Sequence, residues 1–211
     1  MGAIEHRLKI PRSTLSGWFK NIKLSKKHRD KLDQNWKNSL KIARGKAILW
    51  HHHQKEKRLE KARFDAENVL TTIDIENTQL LELTLALLYM GEGTKKTSET
   101  AIGNSDPLIL KFFISILRNV YHVSNEQIRC QLNLRADQNP EEMKCYWAKE
   151  LNVPVENFKH ISVDKRTIGT KTFSHYKGVC QVRCGKVEIQ RKLVYLSGLF
   201  CRKVIERYLG G

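Results

Sequence analysis

The sequence predicts an α+β protein: an all-helical, basic N-terminal region followed by a mixed α/β domain with a sheet of about four strands. Three observations carry this. Apolar residues before position 75 recur at helical spacing, and no segment there alternates as a strand does. Residues 127–135 alternate cleanly, with Ile128, Cys130, Leu132 and Leu134 on one side and Arg129, Gln131, Asn133 and Arg135 on the other. Beyond residue 76, helical and strand-like segments follow one another with turn signals between them.

Residues 1–23 read as helix, turn, helix. Ala3 to Leu8 forms a short amphipathic helix, and Lys9-Ile10-Pro11 breaks it. Ser13 is placed to N-cap a second helix, Thr14 to Asn21, seated by Leu15, Trp18, Phe19 and Ile22. Its other face offers Arg12, Ser13, Thr14, Ser16 and Lys20. Short polar and basic residues near a helix N-terminus suit contacts to base edges and phosphates, and the stretch resembles part of a bacterial helix-turn-helix. Residues 24–75 form a long basic helical linker, broken at most near Gly45. Leu32, Trp36, Leu40, Ala43, Ala47 and Trp50 make an apolar stripe that thins after Trp50. His51, His52 and His53 are adjacent, so their imidazoles diverge by ~100° and do not converge on one metal ion.

The α/β domain, 76–211, opens with the most apolar helix of the chain, Asn77 to Met90. A short strand follows at Thr100 to Asn104. Asp106 then caps a helix with Pro107 at its first turn. After the alternating strand, Asn139-Pro140-Glu141-Glu142 starts another helix. Two further strands, Phe158 to Lys165 and Val179 to Cys184, are joined by a basic loop carrying Lys171, His175 and Lys177, and a helix from about Val187 to Tyr208 closes the domain.

Composition bounds the partners. The chain of 211 residues carries 38 Lys and Arg against 22 Asp and Glu, a net charge of +16. The first 70 residues hold 18 of those basic residues and only 7 acids. That balance predicts a polyanionic partner rather than a small-molecule substrate. Five cysteines without paired spacing argue against a disulfide framework, and Cys180 and Cys184 read as small buried apolar residues. No run approaches the ~18 apolar residues of a membrane span, and the N-terminus lacks a secretory core. The expectation is a protein of the cytoplasm, associated with the nucleoid of a prokaryote, with no membrane partner.

A lone carboxylate, Glu92, ends the apolar helix between Gly91 and Gly93. Burying a carboxylate is costly unless something pairs it, and a divalent metal is one such partner. The stretch Leu85-Ala86-Leu87-Leu88-Tyr89-Met90-Gly91-Glu92-Gly93 resembles the signature helix of the LAGLIDADG homing-endonuclease superfamily. Leu85, Ala86, Leu88 and Gly93 match the motif letters, and Glu92 falls on its second acid. Met90 replaces the first acid, and Leu87 replaces a glycine of the helix–helix contact. The segments "GNSDP" and "CYWAKELNVP" also resemble a compact bacterial branch in which a helix-turn-helix often precedes the domain. The resemblance covers about 76–205, and 1–75 more loosely.

This resemblance implies a curved, saddle-shaped sheet lying in the DNA major groove. It implies a homodimer, because the chain has one signature helix, with Leu85, Leu88 and Gly91 at the interface. Arg129, Gln131, Asn133, Arg135, Gln181 and Arg183 would read or grip the duplex, with Lys171 and His175 on phosphates. Glu92 from each subunit would ligate Mg²⁺, with Lys177 or Lys171 assisting hydrolysis. Two activities stay open: a Mg²⁺-dependent site-specific DNA endonuclease, and a regulator that binds DNA without cutting it. RNA binding is a third, more distant reading.

Overall fold

The computed structural model describes residues 2–210 and divides into two compact units, one ending at Ile73 and the other starting at Asp74. The N-terminal unit is entirely helical: α1 (Gly2–Leu8), α2 (Arg12–Phe19) and α3 (Lys26–Thr71). Lys9 takes a left-handed φ of 55° in the three-residue turn between α1 and α2. Ser13 does not cap α2. Pro11 occupies the N-cap position with φ −57° and ψ 143°, and its ring fixes the geometry at which Arg12 enters the helix. The apolar face expected to seat α2 is largely open: Leu15 is buried, whereas Trp18, Phe19 and Ile22 are exposed.

Helix α3 runs through Gly45 without a break over 46 residues, about 69 Å at 1.5 Å per residue. None of its residues is buried, so Leu32, Trp36 and Trp50 of the predicted stripe lie exposed.

The second unit is one four-stranded mixed sheet with helices packed on one face. Its elements are α4 (Thr78–Glu92), β1 (Thr100–Asn104), α5 (Pro107–Asn119), β2 (Ile128–Arg135), α6 (Pro140–Leu151), β3 (Phe158–Asp164), β4 (Val179–Cys184) and α7 (Val187–Tyr208). The strand order is β1-β4-β2-β3. β4 is antiparallel to both β1 and β2, while β2 and β3 are parallel and joined by the crossover helix α6. The inward residues of β2 and β4 meet Leu85 and Tyr89 of α4, Phe113 and Leu117 of α5, Trp147 of α6 and Leu193 of α7 in one core. Cys130, Cys180 and Cys184 are buried there as free thiols, and a hydrogen bond with Cys130, reinforced by burial, pushes the Cys180 thiol well up from its ordinary range.

Local chemistry sets the helix starts. Asn77 accepts from the Leu80 amide, Asp106 from Leu108, and Asn139 from Glu141 and Glu142. The end of α4 is locked differently. The Tyr89 hydroxyl donates to the Thr94 carbonyl at 2.7 Å and accepts from the Ala101 amide at 3.3 Å, tying helix, loop and β1 together. Gly93 is what makes room for this ring: a Cβ there would lie 2.5 Å from the Tyr89 ring carbons. The backbone at Gly93 also pairs with Ile102 of β1 in an isolated antiparallel bridge, so ring and strand both crowd this glycine. Because Tyr89 is fully buried and hydrogen-bonded, it has nowhere to retreat. Gly93→Ala is expected to destabilise the second unit by about 1–3 kcal/mol, the usual overpacking range. Chemical denaturation followed by tryptophan fluorescence checks this; an unchanged midpoint would show that the ring repacks freely.

Candidate nucleic-acid interface

Alternation leaves one face of the sheet uncovered. On β2, Arg129 and Asn133 are exposed and Gln131 and Arg135 half-buried; on β4, Gln181 and Arg183 are half-buried. Antiparallel register sets Arg129 directly opposite Arg183, and Gln131 opposite Gln181. Two like charges placed so oppose each other, and Glu99, 3.5 Å from the Arg183 guanidinium, offsets the repulsion. Arg183 also donates to Gln131 Oε1 at 2.8 Å and to Gln181 Oε1 at 2.6 Å. Five of the six predicted sheet residues therefore form one polar field, completed by Asn133, whose Oδ1 accepts from the Ser162 hydroxyl of β3.

Lys159 and His160 extend this field and were missed in the sequence. A bulge on β3 opposite Cys130 and Gln131 inserts Lys159, and both residues border the same hollow as Arg129 and Arg183. No alternation in residues 158–165 announces that bulge.

Arg135, the sixth residue, has a different job. Its guanidinium donates to the Thr172 hydroxyl at 2.7 Å and the Thr170 hydroxyl at 2.6 Å, which pins the loop between β3 and β4. The same loop is held by Asp137, which accepts from both the amide and the hydroxyl of Thr172. Gln138 donates to the Tyr176 carbonyl, and Trp147 to the Lys177 carbonyl. Gly178 closes the loop at φ 80°, where a Cβ would meet Leu134 at 2.5 Å. Lys171 and His175 stand exposed on this fixed loop. Lys177 is half-buried, with its ammonium 5.8 Å from the Tyr146 ring centre.

Glu92 is exposed at the end of α4, and its carboxylate accepts from the Asn104 side chain at 3.2 Å. No hydrogen bond or ion pair among the described residues joins it to Lys177 or Lys171, so the structure does not bring the predicted catalytic pair into contact. Among the described residues no group of three or more His, Cys, Asp or Glu is arranged to hold a metal.

Of the expected dimer residues, Leu85 is fully buried against its own core, since its turn of α4 faces the sheet. It is unavailable to a second chain. Leu88 is partly buried against the same core. Gly91 lies open, with nothing within 4 Å of an added Cβ. In the N-terminal unit, Ser13, Thr14, Ser16 and Lys20 are exposed, while Arg12 pairs with Glu5 at 2.5 Å.

No helix among the described residues is long and apolar enough to cross a membrane. Comparison with models of protein families, with curated proteins and with solved structures returns no match.

The acids that fix the loop have a pH consequence. Hydrogen bonds from Thr172 hold the Asp137 carboxyl below its ordinary range, and hydrogen bonds from Arg166 do the same for Asp164. A depressed carboxyl stabilises the folded arrangement above its ordinary pKa, and that contribution is lost as pH falls through the lower folded value. Loop order should therefore persist at neutral pH and loosen in acid, below about pH 4. Carboxyl-carbon NMR should show both aspartates titrating low, with the Thr172 and Arg166 amides shifting in step; titration at ordinary values would remove the anchoring role.

Proposed function

We propose that this chain binds duplex DNA by laying the open face of its sheet into the major groove, as a protein of the LAGLIDADG type. The observation that supports this most is the block Arg129, Gln131, Gln181 and Arg183, in register on two adjacent strands. A two-stranded ribbon fits the major groove, where arginine pairs with guanine and glutamine with adenine edges. Lys159 and Lys171, exposed at the rim, suit phosphates. The polar face of α2, with Ser13, Thr14, Ser16 and Lys20, is a second contact of helix-turn-helix kind.

Duplex affinity should fall by orders of magnitude between about 50 and 200 mM salt. Arg129→Ala should weaken binding and, where Arg129 reads a base, relax discrimination there by about 1–3 kcal/mol. Fluorescence anisotropy on a selected site measures both. Affinity that stays flat with salt would overturn the reading.

Within this reading, the resemblance points to a homodimeric, Mg²⁺-dependent endonuclease. Leu80, Leu83, Leu87 and Met90 recur at steps of three and four along α4, away from the fully buried Leu85, Ala86 and Tyr89, and form a half-exposed apolar stripe ending at the open Gly91. That stripe is a better dimer contact than Leu85. A carboxylate is a suitable hard ligand for Mg²⁺, but one per chain is too few, so the fit requires Glu92 from two copies. Bound Mg²⁺ would stabilise charge on the attacking and leaving oxygens. Glu92 would contribute the anionic ligand, held in orientation by Asn104.

The second reading is a regulator that binds without cutting. The Glu92–Asn104 hydrogen bond favours it, since it gives the carboxylate a structural role. One experiment separates the two. In Mg²⁺, wild type should nick a selected site, and Glu92→Gln should lose cutting by orders of magnitude while keeping DNA affinity. Gly91→Leu, which the chain itself accommodates, should give monomers by sedimentation and also lose cutting. A wild type that binds its site and never nicks it in Mg²⁺ or Mn²⁺ leaves the regulator.

A further inference from the structure

We infer that the loop between β3 and β4 carries a stacking site for one unpaired nucleobase, built on Phe173 and His175. The inference rests on the DNA-binding reading and adds a substrate feature to it: a base that has left the helical stack.

Phe173 is 76% exposed, among the most exposed large apolar side chains of the protein. Its segment is not loose. Arg135, Asp137 and Gln138 hold the loop from the end of β2, and Trp147 holds it from α6. The Phe173 carbonyl accepts from the Tyr176 amide, closing a tight turn under the ring. The His175 imidazole stacks on Phe173 at 17° between planes and 5.7 Å between centres. A fixed, stacked pair of rings facing water has its ordering cost met in advance and its apolar faces unused, and aromatic faces in that state are what bases stack on.

The surroundings select the kind of ligand. The loop 165–178 has four Lys and Arg and no Asp or Glu. Phe173 and His175 share a cavity of about 210 Å³ with Arg135, Lys171, Thr172 and Tyr176. That volume is below the ~300–1,000 Å³ of drug-sized ligand sites, so it suits one ring system and not a dinucleotide cofactor. Lys171 stands beside the rings as a cation for the phosphate joined to that base. Arg135 and Arg166 are partly cancelled by Asp137 and Asp164, which leaves Lys171 as the uncancelled cation beside the rings, and a protein partner bearing only an apolar anchor would not need it.

The test uses the full chain and one mixed-sequence duplex in two forms, fully paired or with a single bulged fluorescent adenine analogue. Wild type should bind the bulged form more tightly, by roughly the 5- to 150-fold that one base–aromatic stack supplies. The analogue's fluorescence should quench on binding. Phe173→Ala should abolish both the preference and the quenching, Phe173→Tyr should retain them, and His175→Ala should reduce them. Equal affinity for the two forms, or a preference that survives in Phe173→Ala, overturns this inference and leaves the sheet reading standing. Failure to bind either duplex overturns both.

Discussion

The second unit depends on β4 sitting between β1 and β2. β4 is the last strand in sequence, yet it is central in the sheet, antiparallel to both neighbours. β3 lies on the far side of β2, so the chain leaving Asp164 must cross the end of β2 before entering β4 at Val179. That crossing brings residues 165–178 over Arg135 to Gln138, whose side chains then bond it down. The rigid loop is thus a product of strand order. A hairpin from β3 to β4 would have needed no such anchorage.

The same insertion builds the polar face. Only with β4 beside β2 do Arg129 and Arg183 come into opposition, and Gln131 and Gln181 beside them. Arg183, held by two amide oxygens and by Glu99, is ordered before any ligand arrives. Ordering a long side chain on binding costs roughly 0.5–1.5 kcal/mol, and here the fold has met that cost. The two glutamines keep their amide nitrogens for a ligand, because Arg183 engages their oxygens. Such a face favours discrimination between partners over raw attraction.

Much of this was legible from the sequence wherever the signal is local. The alternation of β2 and β4, the caps at Asp106 and Asn139, and the long helix α3 depend on neighbours a few residues apart. What the sequence concealed depends on distant partners. Arg135 has the same pattern position as Arg129, and only Thr170 and Thr172, some 35 residues on, turn it into an anchor. Leu85 matches an interface motif letter, but the facing of α4 toward its own core decides its role. Gly93 matches a motif letter, and only the fold shows Tyr89 packed beneath it. Ser13 is no cap because the helix has already begun at Arg12, which places Ser13 inside its first turn.

Charge counted along the chain therefore differs from charge offered at a surface. Arg183 faces Glu99, Arg166 is bound by Asp164, Arg12 by Glu5, and Arg135 sits among Asp137, Asp164 and two threonines. These arginines add to the net +16 while their fields are partly cancelled nearby. Arg129 and Lys159 on the sheet and Lys171 on the loop have no acid within ion-pair distance among the described residues. Around the sheet this arrangement sets amides and a neutralised arginine beside the uncancelled Arg129 on the inner strands, with Lys159 on the edge strand β3. Under the proposed duplex reading, phosphates would meet the edge lysines and base edges the polar residues between them, which is how a groove-binding surface divides its contacts.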